Sequence, residues 1–132
     1  MSWEVRACAS PDELRQALRA IWHYFGRTTP TDDQFDRLAR VLPLEHVHAA
    51  WDGGRAVGGA SAFPFEQTIP GGRIHAAGVS TVAVLPTHRR RGILIGMMRA
   101  QLDACHQRGE AVAYLWATED KIYGRLDRKS VV

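Results

Sequence analysis

The chain has 132 residues, enough for one domain with a single hydrophobic core. Its 17 basic and 14 acidic residues leave a formal charge of +3, too small a surplus to argue for nucleic acid by itself. The opening MSWEVRACASPDELR carries charges where a signal peptide would need an apolar stretch, no apolar run approaches the roughly 18–20 residues of a membrane span, and Cys8 and Cys105 form neither a disulfide framework nor a metal-ligand spacing. A cytoplasmic protein without a membrane partner is expected.

SWEVRACA is short and partly alternating, which predicts a first strand. In SPDELRQALRAIWHYFG, Ser10 stands at a cap, Pro11 at the first helical position and Glu13 at the third, predicting a capping box. Leu14, Leu18, Ile21, Trp22 and Phe25 follow at helical spacing, and Gly26 ends the helix. TDDQFDRLARVL repeats the device: Thr31 caps, Gln34 closes the box, Phe35, Leu38 and Leu42 form the buried stripe, and Pro43 stops it. EHVHAAWDGGRAVGGASAFPF then reads as two strands joined by a DGG turn. His46 and His48 alternate there as a metal pair would, but without a third ligand they predict a polar strand face.

QTIPGGRI predicts a second turn and IHAAGVSTVAVL a long strand. PTHRRRGILIGMMRAQLDACHQRG reads as a third helix, with Leu94, Met97, Met98, Leu102 and Cys105 on one face and Gly109 as its stop. EAVAYLWA is nearly continuously apolar and reads as a central strand, and TEDKIYGR begins a short helix behind Thr118. The order β-α-α-β-β-β-α-β-α predicts an α/β (α+β) domain, a mixed central sheet flanked by helices.

Ending one turn after the strand 110–117 would leave that strand's edge unpaired. The last six residues, DRKSVV, are what the codons GAT CGG AAG AGC GTC GTG would encode, and that string matches a widely used short-read sequencing adapter. The expectation is a domain over residues 1–126, incomplete at its C-terminal end, followed by a non-native tail, 127–132.

The chemistry gathers where the long strand meets the third helix. A helix start leaves its first N–H groups without intrahelical partners, and these with the macrodipole attract an anion. Gly92 leaves room for close backbone approach, and Arg89, Arg90 and Arg91 add charge-assisted hydrogen bonds. Three cations at a helix N-terminus oppose the dipole, which favours a bound anion over a solvated first turn. The run reads as a diphosphate cradle, though neither a Walker loop nor a G-x-G-x-x-G fingerprint is present. A nucleic-acid phosphate is the alternative anion, disfavoured because no aromatic platform or further basic stripe accompanies the run.

VAVLPTHRRRGIL resembles motif A of the GNAT-superfamily N-acetyltransferases, Q/R-x-x-G-x-G/A after a strand. Arg89 and Gly92 match the first two landmarks, and Leu94 stands where Gly or Ala is usual. Together with the downstream IYGR, this resembles the Eis-like (enhanced intracellular survival) branch. The resemblance implies acetyl-CoA as cosubstrate and no metal. It implies that Val82, Ala83 and Val84 pair with the pantetheine arm. The pyrophosphate lies on Arg90, Arg91, Gly92, Ile93, Leu94 and Ile95, and Thr118 and Glu119 add a further cofactor contact. Tyr123 matches the proton donor to the departing thiolate; a phenol of pKa about 10 is protonated at neutral pH.

The acceptor implied is a primary amine of a polyamine-like or aminoglycoside-like molecule, or a lysine side chain. Phe25, Asp32, Phe35 and Thr81 are the candidate lining, although Asp32 and Asp33 equally suit a helix first turn. The general base of the branch is the C-terminal carboxylate of a longer chain, which is absent here; the hexameric assembly of the branch also depends on absent regions. A non-catalytic CoA-binding domain of the same fold is the rival reading, and a basic nucleic-acid-binding module a more distant one.

Overall fold

The computed structural model describes residues 3–88 and 90–115, and for Thr81 the backbone alone. The expected short helix behind Thr118 and the tail 127–132 lie outside these residues. Five strands form one sheet in sequence order: β1 (Glu4–Ala7), β2 (Val47–Asp52), β3 (Arg55–Ile69), β4 (Gly72–Val84) and β5 (Val112–Tyr114). The first four pair antiparallel. β5 lies parallel to β4, as a helical crossover between two strands allows. The result is the mixed sheet expected from the order of elements.

The turns follow their residues. Gly53 (φ +59) and Gly54 (φ +83) are both left-handed between β2 and β3, which a two-residue type I′ hairpin requires. Pro70–Gly71, with Gly71 at φ +88, closes the β3–β4 hairpin. Pro64 is tolerated inside β3 because the β2 ladder begins at Val47↔Ser61. Beyond Ser61, β3 pairs only with β4 among the described residues, so the missing proline N–H leaves no ladder bond unmade.

Helix α1 (Pro11–Tyr24) and helix α3 (Ile93–Gln107) cover opposite faces of the sheet. Neighbouring strand residues point to opposite faces, and the missing side chain of Gly59 faces Ile21 and Ala17 while that of Gly58 faces Met97. Leu14, Leu18 and Ile21 from α1, and Ile93, Met97 and Met98 from α3, are essentially fully buried against it. Helix α2 (Asp32–Ala39) adds Phe35 to the same core. Among the described residues no helix is long and apolar enough to cross a membrane.

Several expectations change in detail. Ser10 caps α1 by accepting the Glu13 N–H at 3.2 Å. The Glu13 carboxylate does not return to Ser10; it accepts from the Ala9 N–H at 2.9 Å and from both Arg6 nitrogens at 2.7 Å, tying α1 to β1. The Thr31–Gln34 box on α2 is complete, but α2 ends at Ala39, so buried Leu42 follows the helix rather than belonging to it. The third helix starts at Ile93, not at Pro86: Pro86–His88 is a separate 3-10 turn. Arg90 (φ +62) and Gly92 (φ +76) are left-handed, a conformation no right-handed helix passes through.

The α3 face against the sheet runs Ile93, Met97, Gln101, Cys105, with Met98 beside it, while Leu94 and Leu102 are only half-buried. Gln101 is fully buried although polar. His46 and His48 are buried too, not a polar face: His46 Nδ1 lies 3.2 Å from the Ala62 carbonyl. Burial, and then the charge of Arg108, holds the His48 pKa below its usual value. The strand expected over 110–117 is described only as β5, the last strand of the described sheet, with Tyr114 exposed.

Candidate functional site

The β4–β5 ladder is short. It pairs Ala76 with Val112, Ala77 with Ala113 and Gly78 with Tyr114. Leu115, the next residue, is already outside the strand. From Val79 to Val84 the edge of β4 facing β5 therefore has no ladder partner among the described residues.

On its other side β4 stays paired with β3, but the register slips. Gly59 faces Ala83 whereas Ser61 faces Ser80, so β4 carries one extra residue across Thr81–Val82. A bulge of this kind bends a strand and re-aims its side chains, and bulges gather beside active sites. Val82 and Val84 are half-buried and Ala83 is buried, so their side chains pack while the backbone edge has no strand partner among the described residues.

The open edge leads into the helix start. The Leu85 N–H bonds the Val57 carbonyl at 2.8 Å, the His88 N–H closes the 3-10 turn on Leu85, and the chain then reaches Arg90, Arg91 and Gly92. Arg89 lies outside the described residues. Gly92 is the N-cap of α3 with no side-chain cap, and no acidic residue occupies the first turn. The first intrahelical bond runs from Gly96 N–H to the Gly92 carbonyl at 3.0 Å. Ile93, Leu94 and Ile95 therefore present backbone donors at the positive end of a fifteen-residue helix. Arg90 and Arg91 are exposed beside them and make no ion pair among the described residues.

Gly92 also meets a backbone need. A Cβ there would meet no protein atom nearer than Trp3 Cζ2 at 3.9 Å, while its φ of +76 favours glycine. One turn on, a Cβ at Gly96 would come within 3.1 Å of two atoms of the Trp3 ring. Trp3 thus lies against the first turns of α3, a contact that sequence spacing did not indicate.

The candidate substrate residues do not form one group. Phe25 ends α1 and is about half exposed, its ring edge-on to Tyr24. Asp32 is ion-paired to Arg15 at 2.9 Å, and the same guanidinium lies 4.2 Å over the Phe35 ring. Phe35 is buried and serves α1–α2 packing, whereas the Asp32 carboxylate is exposed and held only by Arg15 among the described residues. Thr81 sits in the β4 bulge. Thr118, Glu119 and Tyr123 lie outside the described residues. A shallow cleft of ≈340 Å³ lined by Pro64, Phe65, Glu66, His75, Arg108 and Glu110 lies at the other end of α3, its arginine already bonded to Glu110 at 2.8 Å. Among the described residues no three His, Cys, Asp or Glu side chains converge to hold a metal ion.

An acetyltransferase (GNAT) domain model matches residues 4–128. The chain belongs to the GNAT acetyltransferase family. Its sheet and flanking helices are the GNAT fold: it superposes on the crystal structure of Eis1 from Mycobacterium abscessus with a TM-score of 0.79 and 34% identity, over 94% of this chain and 30% of that one. A Streptomyces avermitilis protein named only as an uncharacterized N-acetyltransferase is 42% identical over 119 residues, 86% of this chain and 29% of its own. N-acetyltransferase Eis of Mycobacterium tuberculosis is 44% identical over 82 residues, 58% of this chain and 19% of its own. The GNAT domain therefore spans less than a third of the length of these relatives.

Proposed function

We propose that this GNAT domain binds acetyl-CoA along the free edge of β4 and the N-terminus of α3, as the cofactor-binding part of an Eis-like N-acetyltransferase. One observation carries the reading: among the described residues the β4–β5 ladder stops at Gly78, and the edge beyond it runs directly into an uncapped helix start flanked by two arginines that make no ion pair among those residues. An extended pantetheine arm has the hydrogen-bonding groups to pair with Val82, Ala83 and Val84, and a pyrophosphate suits the amides of Gly92 to Ile95.

The acceptor is a primary amine, on a polyamine-like or aminoglycoside-like molecule or a lysine side chain. Its neutral nitrogen attacks the thioester carbonyl, the carbon–sulfur bond breaks, Tyr123 gives the departing thiolate its proton, and the proton the nitrogen sheds passes to solvent, from which Tyr123 is reprotonated. Phe25 and the bulge at Thr81 remain as lining for that amine's approach, whereas Asp32 and Phe35 are already engaged by Arg15.

Calorimetric titration with acetyl-CoA tests the reading, and saturable binding of one molecule per chain is expected. Absence of binding at low salt, with strongly salt-dependent binding to DNA, would replace it by the nucleic-acid reading. Binding without turnover on any amine would reduce the domain to a CoA-binding module.

A further inference from the structure

We infer that Asp52 and His88 are positioning residues for the cofactor phosphates, holding the turn that presents the first amides of α3. The inference rests on reading that turn as a phosphate cradle. The His88 side chain is only 12% exposed, and both ring nitrogens are engaged. Nε2 lies 2.8 Å from Asp52 Oδ2, and Nδ1 lies 2.7 Å from Thr87 Oγ1. A carboxylate only accepts, so Nε2 carries its proton toward Asp52; in the neutral ring Nδ1 then accepts the Thr87 hydroxyl. All three groups are satisfied together.

The placement of Asp52 gives this chain of bonds a purpose. Asp52 is the last residue of β2, next to the two-residue Gly53–Gly54 turn, and far from His88 in sequence. The ladder pairs Asp52 with Arg55 directly across that two-residue turn, which fixes the position of its backbone. The segment it holds is not regular: Arg90 adopts φ +62, unfavourable for a residue with a Cβ, and Gly92 follows at φ +76. Such a backbone persists only where its surroundings over-determine it. Leu85, bonded to Val57, anchors one end, and buried Ile93 anchors the other. Among the described residues of the span between them, the two bonds of His88 are the only side-chain hydrogen bonds. Without them the first turn of α3 still forms, but the approach to its amides is no longer fixed.

The test compares two probes on the whole chain: CoA, which carries the diphosphate, and pantetheine, which does not. Calorimetry reads the first, and amide chemical-shift titration reads the weaker second. His88→Ala weakens CoA binding about tenfold, the scale of one hydrogen bond to a charged group, and leaves pantetheine affinity unchanged. His88→Gln, whose amide nitrogen can stand where Nε2 stands, recovers most of the loss. Asp52→Ala reproduces the loss from the β2–β3 hairpin, and the double variant loses no more than either single one. If the wild-type chain binds no CoA, the cradle reading falls and this inference with it. If the wild type binds and both alanine variants bind equally well, the inference alone is overturned. Equal losses for CoA and pantetheine, or unfolding of both alanine variants, would make the pair a strut of the fold and contradict it.

Discussion

Gly92 and Gly59 have no side chain for different reasons, and their substitutions should fail differently. At Gly92 the space is open but φ is +76, so Gly92→Val forces a β-branched residue into the left-handed region. It should cost roughly 1–3 kcal/mol at that turn and weaken acetyl-CoA binding by more than the change in melting temperature explains; calorimetry and thermal melting on one preparation separate the two. At Gly59 the φ is ordinary but a Cβ would lie 2.7 Å from Ile21 Cδ1 and 2.9 Å from Cγ1, inside a fully buried cluster. Gly59→Ala should destabilise by about 1–3 kcal/mol in denaturant titration, with acetyl-CoA affinity unchanged once the chain is folded. The motif around Gly92 was legible in the sequence as clearance for a ligand, but the dihedral requirement that the backbone adds was not. His88 was legible only as part of a basic run, because its partner Asp52 stands far away in sequence and no local pattern links them.

Cap residues made the helix starts readable, and their side chains predict how each helix responds to change. On α2 the box is closed, with the Thr31 N–H donating to Gln34 Oε1 and the Gln34 N–H to Thr31 Oγ1. Thr31→Ala should cost about 1 kcal/mol in thermal or denaturant unfolding. On α1 the Arg6 fork, followed by the Ala9 N–H, holds the Glu13 carboxyl at a pKa of about 2 against an ordinary 4.5. A depressed carboxyl pKa stabilises the folded chain above the unfolded value, and that contribution is lost as pH falls toward the folded one. Glu13→Gln should therefore lower the melting temperature at pH 7, with the deficit shrinking below pH 4.5 and closing near pH 2 in a pH series of melts. The start of α3 was not legible, since the residues from Pro86 to Arg91 carry no breaker after the proline and the left-handed turn at Arg90 has no signature in its side chain. The buried face of α3 was misjudged at Gln101 because an apolar pattern does not register a polar residue in the row Ile93, Met97, Gln101, Cys105.

For the molecule as a whole, the order of strands and helices was enough to anticipate a mixed sheet with helices on its faces. Turn chemistry made the two hairpins certain, through Gly53–Gly54 and Pro70–Gly71. The feature that matters most for the proposed site was hidden, because EAVAYLWA reads as one continuous strand while, among the described residues, pairing with β4 ends at Tyr114. The end of a ladder is a property of strand register, and neither it nor the bulge across Thr81–Val82 is written in the apolar pattern of either strand. Amide hydrogen exchange, resolved residue by residue with and without acetyl-CoA, tests the central claim most directly. Acetyl-CoA should protect amides within Val82–Val84 and those of Ile93 to Ile95, and leave the β1–β2 ladder unchanged. Saturating acetyl-CoA without protection at either place would contradict the assignment of the open β4 edge and the α3 N-terminus as the cofactor site.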